Sequence, residues 1–91
     1  MANLDDNNPI TSNGDYDVSV KAGKRYIVAT AGTFGSGTLD VGYVLGANFE
    51  AVENQTSAGA FEITAPSSKI RFSLSGATIP NIDVQISPIV E

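Results

Sequence analysis

Apolar residues in this chain recur at every second position and not at spacings of three and four, which predicts strands and no helix. Residues 15–20 (DYDVSV) set Tyr16, Val18 and Val20 on one face and Asp15, Asp17 and Ser19 on the other. The alternation recurs in residues 70–75, where Ile70, Phe72 and Leu74 oppose Arg71, Ser73 and Ser75. It returns in residues 82–87, with Ile82, Val84 and Ile86 against Asp83, Gln85 and Ser87. Phe61 and Ile63 oppose Ala60 and Glu62, and Leu39, Val41, Tyr43 and Leu45 share a face of residues 38–45. One apolar and one polar face per strand is the pattern of antiparallel sheets packed on one side.

Turn residues separate these segments. Gly23 supports a turn at residues 21–24, residues 32–37 (GTFGSG) form a loop with Phe34 packed beneath it, and Pro66 cannot donate to a central ladder. Residues 46–48 turn the chain into residues 49–52, residues 53–57 (ENQTS) read as a polar loop, and residues 76–81 turn around Pro80. The result is about seven short strands at roughly 8–12-residue spacing, an all-β antiparallel β-sandwich of jelly-roll or Ig-like type. Residues 13–91 then form a single domain. Residues 1–12 (MANLDDNNPITS) are polar without a period and predict a flexible N-terminal arm. Residues 88–91 form a short apolar tail, either tucked onto the sandwich or docked on a neighbour.

One segment departs from the alternation. Residues 25–31 (RYIVATA) are apolar or small on both faces. Such a strand is either central and covered twice, or turns its outer face to another subunit. Seven strands are too few to cover a sandwich twice, so Tyr26, Ile27 and Ala29, with Ile89 and Val90 of the tail, are the candidate interface residues. Tyr26 lies in phase with Val28 and Thr30, opposite Ile27 and Ala29.

Composition then narrows the chemistry. At 91 residues without Cys, His or Trp, the chain has no disulfide scaffold, no thiolate nucleophile and no imidazole for a triad or a metal. A net charge of −5 disfavours nucleic acid and anionic membrane surfaces, where Lys and Arg carry the binding. No cofactor is implied. The acidic start lacks a signal-peptide pattern and no apolar run approaches the roughly 20 residues of a membrane span, so the chain is expected to be soluble as made. Asp15 and Asp17 lie about 7 Å apart on one strand face, where a carboxylate pair can do acid–base work or hold a hard cation. A solvated outer face is the plainer expectation. Asp5, Asp6, Asn7 and Asn8 lack the spacing of a calcium loop, and residues 32–37 lack the Lys and helix of a phosphate loop. The Asn54-Gln55-Thr56 glycosylation pattern is uninformative. Tyr16, Tyr26, Tyr43, Phe34 and Phe49 can pack a core or build a sugar platform, and core packing is the expectation for those in phase with aliphatics.

Residues 32–43 (GTFGSGTLDVGY) resemble a GxFGxGTLxLxY segment of small all-β virion proteins of tailed bacteriophages. In that family an aromatic follows in a variable hairpin, as Phe49 does here. Residues 70–86 (IRFSLSGATIPNIDVQI) are similar to its later yRfxLSGAtxPxIxVxI stretch. The similarity covers roughly residues 24–87, and the hairpin lacks the Trp that relatives often carry. It implies a non-enzymatic structural protein made in the host cytoplasm and located in the virion. The first expectation is a capsid decoration (cement) protein that forms a homo-oligomer, a trimer, on the major capsid protein at the capsid surface. The alternative is a head- or tail-fibre or carbohydrate-binding module. The motifs carry no catalytic residues.

Overall fold

Strands with one apolar face must bury that face against another layer. In the computed structural model, which describes residues 2–89, two sheets do this for each other. In chain order the elements are β1 (Ala2–Asn3), a 3-10 turn η1 (Leu4–Asn7), β2 (Gly14–Ser19), β3 (Arg25–Thr33) and β4 (Thr38–Leu45). They continue with β5 (Asn48–Gln55), β6 (Gly59–Thr64), β7 (Lys69–Ser75) and β8 (Asn81–Pro88). One sheet has the order β1-β2-β7-β4-β5 and the other β6-β3-β8. All pairings are antiparallel except β1 with β2. The chain is therefore an all-β sandwich, as the period-two pattern predicts.

The alternating side chains meet between the sheets. Tyr16, Phe72 and Val41 lie opposite one another across β2, β7 and β4, with Ile70, Leu74 and Leu39 on the same inner face. Val28, Ile63, Ile82 and Val84 face them from the other sheet, all buried. Phe34 is buried beneath the loop after β3.

The N-terminal segment overturns the expectation of a flexible arm. Ala2 and Asn3 pair with Tyr16 and Asp17, Leu4 is buried, and Ile10 is fully buried in the core. Asn3 caps η1 by accepting from the Asp5 amide at 2.8 Å. Ile10 donates to the Ile82 carbonyl at 2.8 Å and accepts from the Ile82 amide at 3.0 Å. The Asn8 side chain donates to the Val84 carbonyl at 2.7 Å and accepts from its amide at 3.0 Å. Leu4 and Ile10 are single apolar residues without a period, too sparse for a pattern test, yet each finds core space beside β8 or β2.

A second departure lies in the β4–β5 hairpin. Leu39 and Val41 are buried, but Tyr43 is half-buried and Leu45 is 52% exposed. Pairing with β7 ends at Tyr43, so the hairpin runs past the core. Between Val41 and Gly42 the register with β5 slips, leaving Val52 as the extra residue of a bulge. The Glu50 carbonyl then sits 1.8 Å from where a Gly42 Cβ would be, so only glycine fits. Residues 53–55, expected in a loop, extend β5, and Gln55 is buried against the Thr30 hydroxyl, which donates to it at 2.8 Å.

Ile10→Ala is expected to lower the unfolding free energy by roughly 2–5 kcal/mol, the cost of truncating a fully buried aliphatic. Chemical denaturation measures it, and a loss below about 0.5 kcal/mol would return the segment to a loosely attached arm.

Candidate interface

The centre of the three-stranded sheet is β3, and strand geometry sends its neighbouring side chains to opposite faces. Tyr26, Val28 and Thr30 point into the sandwich, while Ile27, Ala29 and Ala31 point out. The pairing places Ile27 between Glu62 and Ser87, and Ala29 between Ala60 and Gln85. The outer face is thus a flat field of small and polar side chains around Ile27, which is 47% exposed. At its edge Arg25 pairs with Glu62 at 2.6 Å, with both side chains about half exposed. An exposed pair of this kind adds little stability.

Tyr26, a candidate for the interface, points into the core and not onto the outer face. It is buried at 7% exposure, and its hydroxyl accepts the Lys21 amide at 2.8 Å. Its phase with Val28 and Thr30 already put it on the core side of β3. Ile27 and Ala29 are brought together on the outward face. Ile89 is half-buried and donates its amide to the Arg25 carbonyl at 3.0 Å, so the tail tucks against the start of β3. Val90 lies outside the described residues. A shallow depression of about 310 Å³ adjoins the face beside Ala29, Ala31, Asp83 and Gln85. Asn8 reaches it but spends its amide on Val84.

The outer face of the larger sheet carries a second set of charged groups. Asp17 is only 8% exposed, because the Arg71 guanidinium holds its carboxylate through Nε at 2.8 Å and Nη2 at 3.3 Å, with Lys69 at 3.8 Å. This replaces the expected solvated carboxylate with an ion pair. The hydrogen bond to Asp17 raises the Arg71 pKa above its ordinary value, against the opposing cost of desolvation. A raised base pKa contributes stability at every pH below the ordinary arginine value and loses it only above. Asp15 accepts from the Ser73 hydroxyl at 2.6 Å, and Asp40 accepts from Asn54. Both sequence-flagged carboxylates are therefore engaged by neighbours. Among the described residues no group of three or more such side chains is placed to hold a metal ion.

The aromatics do not assemble into a platform. Tyr16, Tyr26 and Phe34 are buried, Tyr43 and Phe49 are half-buried, and Arg71 stands 5.8 Å from the Phe49 ring centre. What the fold and the surface define is a β-sandwich with an uncovered outer sheet face. Compared with known proteins, the chain matches no family model, no curated protein and no solved structure.

Unequal effects are expected for two adjacent residues of β3. Tyr26→Phe is expected to cost about 1 kcal/mol through the lost hydrogen bond, and Ile27→Gln, which sets no second carboxylate opposite Glu62, to stay within about 0.5 kcal/mol. Equilibrium unfolding in urea reads both, and a larger loss for Ile27→Gln would show that face to be covered within the monomer.

Proposed function

We propose that this chain is a non-enzymatic structural protein of a tailed-phage virion, a capsid decoration protein that forms a homotrimer on the shell and stabilises it. The observation that carries the reading is the outward face of β3, where Ile27 and Ala29 stand exposed at the centre of a flat sheet. A sheet face with an aliphatic centre ringed by small and polar side chains, with Arg25, Glu62 and Asp83 among its charged groups, suits docking on a larger protein surface better than enclosing a small molecule. The similarity of residues 32–43 and 70–86 to small virion proteins supports the same class. So does the net charge of −5, which turns the chain away from nucleic acid and toward a protein partner. In this reading the Ile27 face meets the major capsid protein.

Co-sedimentation with empty capsids tests it. The wild type is expected to pellet with capsids, and Ile27→Glu to stay folded and in the supernatant. Equal pelleting of the two would remove the Ile27 face from the contact, and no pelleting of the wild type would overturn the decoration reading.

A further inference from the structure

Two asparagines fasten parts of this fold by the same device. The Asn8 carboxamide donates to the Val84 carbonyl and accepts from the Val84 amide. The Asn13 carboxamide donates to the Ala77 carbonyl at 3.0 Å and accepts from the Ala77 amide at 2.9 Å. Each side chain imitates one rung of a strand ladder. The residues that follow them differ. Asn8 precedes Pro9, whose nitrogen carries no proton, whereas Asn13 precedes Gly14 in the one Asn-Gly dipeptide of the sequence. A glycine nitrogen is the least hindered backbone nitrogen for attack on the preceding side chain. Asn13 is exposed, and beyond its chain neighbours a side chain built on Gly14 would meet nothing nearer than the Tyr16 hydroxyl at 3.9 Å. Water and a leaving group therefore have free access.

The loop on the other side of the Asn13 clamp is strained. Ile79 is 86% exposed and holds φ +49°, where a β-branched residue is out of place, and the following Pro80 disfavours a helical conformation further. Such strain persists only where the surroundings impose it. Here the clamp on Ala77 imposes it, together with the Thr78 amide, which donates to the Gly35 carbonyl at 2.9 Å. Release of the clamp lets the loop relax, so its opening is local and costs less than unfolding the sandwich.

We propose that Asn13 is a self-deamidation site gated by its clamp on Ala77. When the loop opens, the Gly14 nitrogen loses its proton to hydroxide and attacks the Asn13 Cγ. A nitrogen–carbon bond forms, the Cγ–Nδ2 bond breaks, and ammonia leaves with a proton taken from water. Water then opens the cyclic imide. Cleavage of the new bond gives aspartate, and cleavage between the Asn13 carbonyl carbon and the Gly14 nitrogen gives isoaspartate, with an extra methylene in the main chain. Either product has lost the Nδ2–H donor and gained a carboxylate, so the bond to the Ala77 carbonyl does not reform. The chain thus carries a one-way release of residues 76–80, while Pro9 protects the matching Asn8 clamp from the same reaction. The inference is independent of the virion reading.

Peptide mapping by mass spectrometry tests it on the full chain at mildly alkaline pH, folded and unfolded in urea. Asn13 is expected to convert first among the asparagines in both samples, roughly tenfold to a hundredfold slower in the folded one, in proportion to the time the loop stands open. The Ala77 amide, held by the same clamp, is expected to show the same protection against hydrogen exchange, well below that of the amides at the centre of β3. The converted chain, separated by its added charge, is expected to melt below the fresh one. Equal rates in the two samples, or a folded chain that converts only as fast as β3 amides exchange, would overturn the gating. Earlier conversion of another asparagine, no conversion in the folded chain, or a product that melts with the fresh chain would overturn the site.

Discussion

Two stacked sheets leave two seams where their edge strands run without partners, and in this protein residues 8–10 shut one of them. The backbone of Ile10 exchanges both hydrogen bonds with Ile82, and the Asn8 amide does the same with Val84, so the edge of β8 is capped at two successive inward-facing residues. Ile10 simultaneously fills core volume between the layers. A 91-residue chain without disulfides has a small core, and each fully buried aliphatic is a sizeable share of its net stability. Capping also removes a row of unpaired backbone groups that would otherwise invite edge-to-edge association.

The opposite seam is managed differently. There β5 and β6 keep their outer edges, and the bulge opposite Gly42 distorts β5 while Glu53 puts a charge beside the gap. A bulge and inward charge are the devices that keep an edge from pairing indiscriminately with other strands. They leave a groove lined by Val52, Phe61 and Ile63 beside Glu53, Glu62 and Thr64. The closed seam and the open one thus give the sandwich a polarity.

Much of the layering was legible in the alternation of residues 15–20, 70–75 and 82–87, because period two with one apolar face has a single structural solution. The outward face of β3 was legible as well, since Ile27 and Ala29 break the polar alternation. Tyr26 was readable as a core residue from its phase with Val28 and Thr30, whereas a strand apolar on both faces does not by itself say which face is covered. The N-terminal segment was not legible. Ile10 is one aliphatic among polar residues, and its burial depends on a contact with β8 more than 70 residues away. Nor was the Asp17–Arg71 pair, which is set by the register of β2 on β7 and by nothing local. Ile79 appeared only as one residue in a turn around Pro80, because its exposure and left-handed backbone arise from contacts with Asn13 and Gly35.

The closed seam is the feature on which the core rests, and native-state hydrogen exchange of individual amides probes it most directly. The amides of Ile10, Ile82 and Val84 are each donors across that seam. They are expected to exchange as slowly as the amides at the centre of β3, by global unfolding alone. Exchange at the rate of an unstructured peptide for Ile10 and Val84, with β3 still protected, would show the seam to be open in solution and contradict the structure proposed for it.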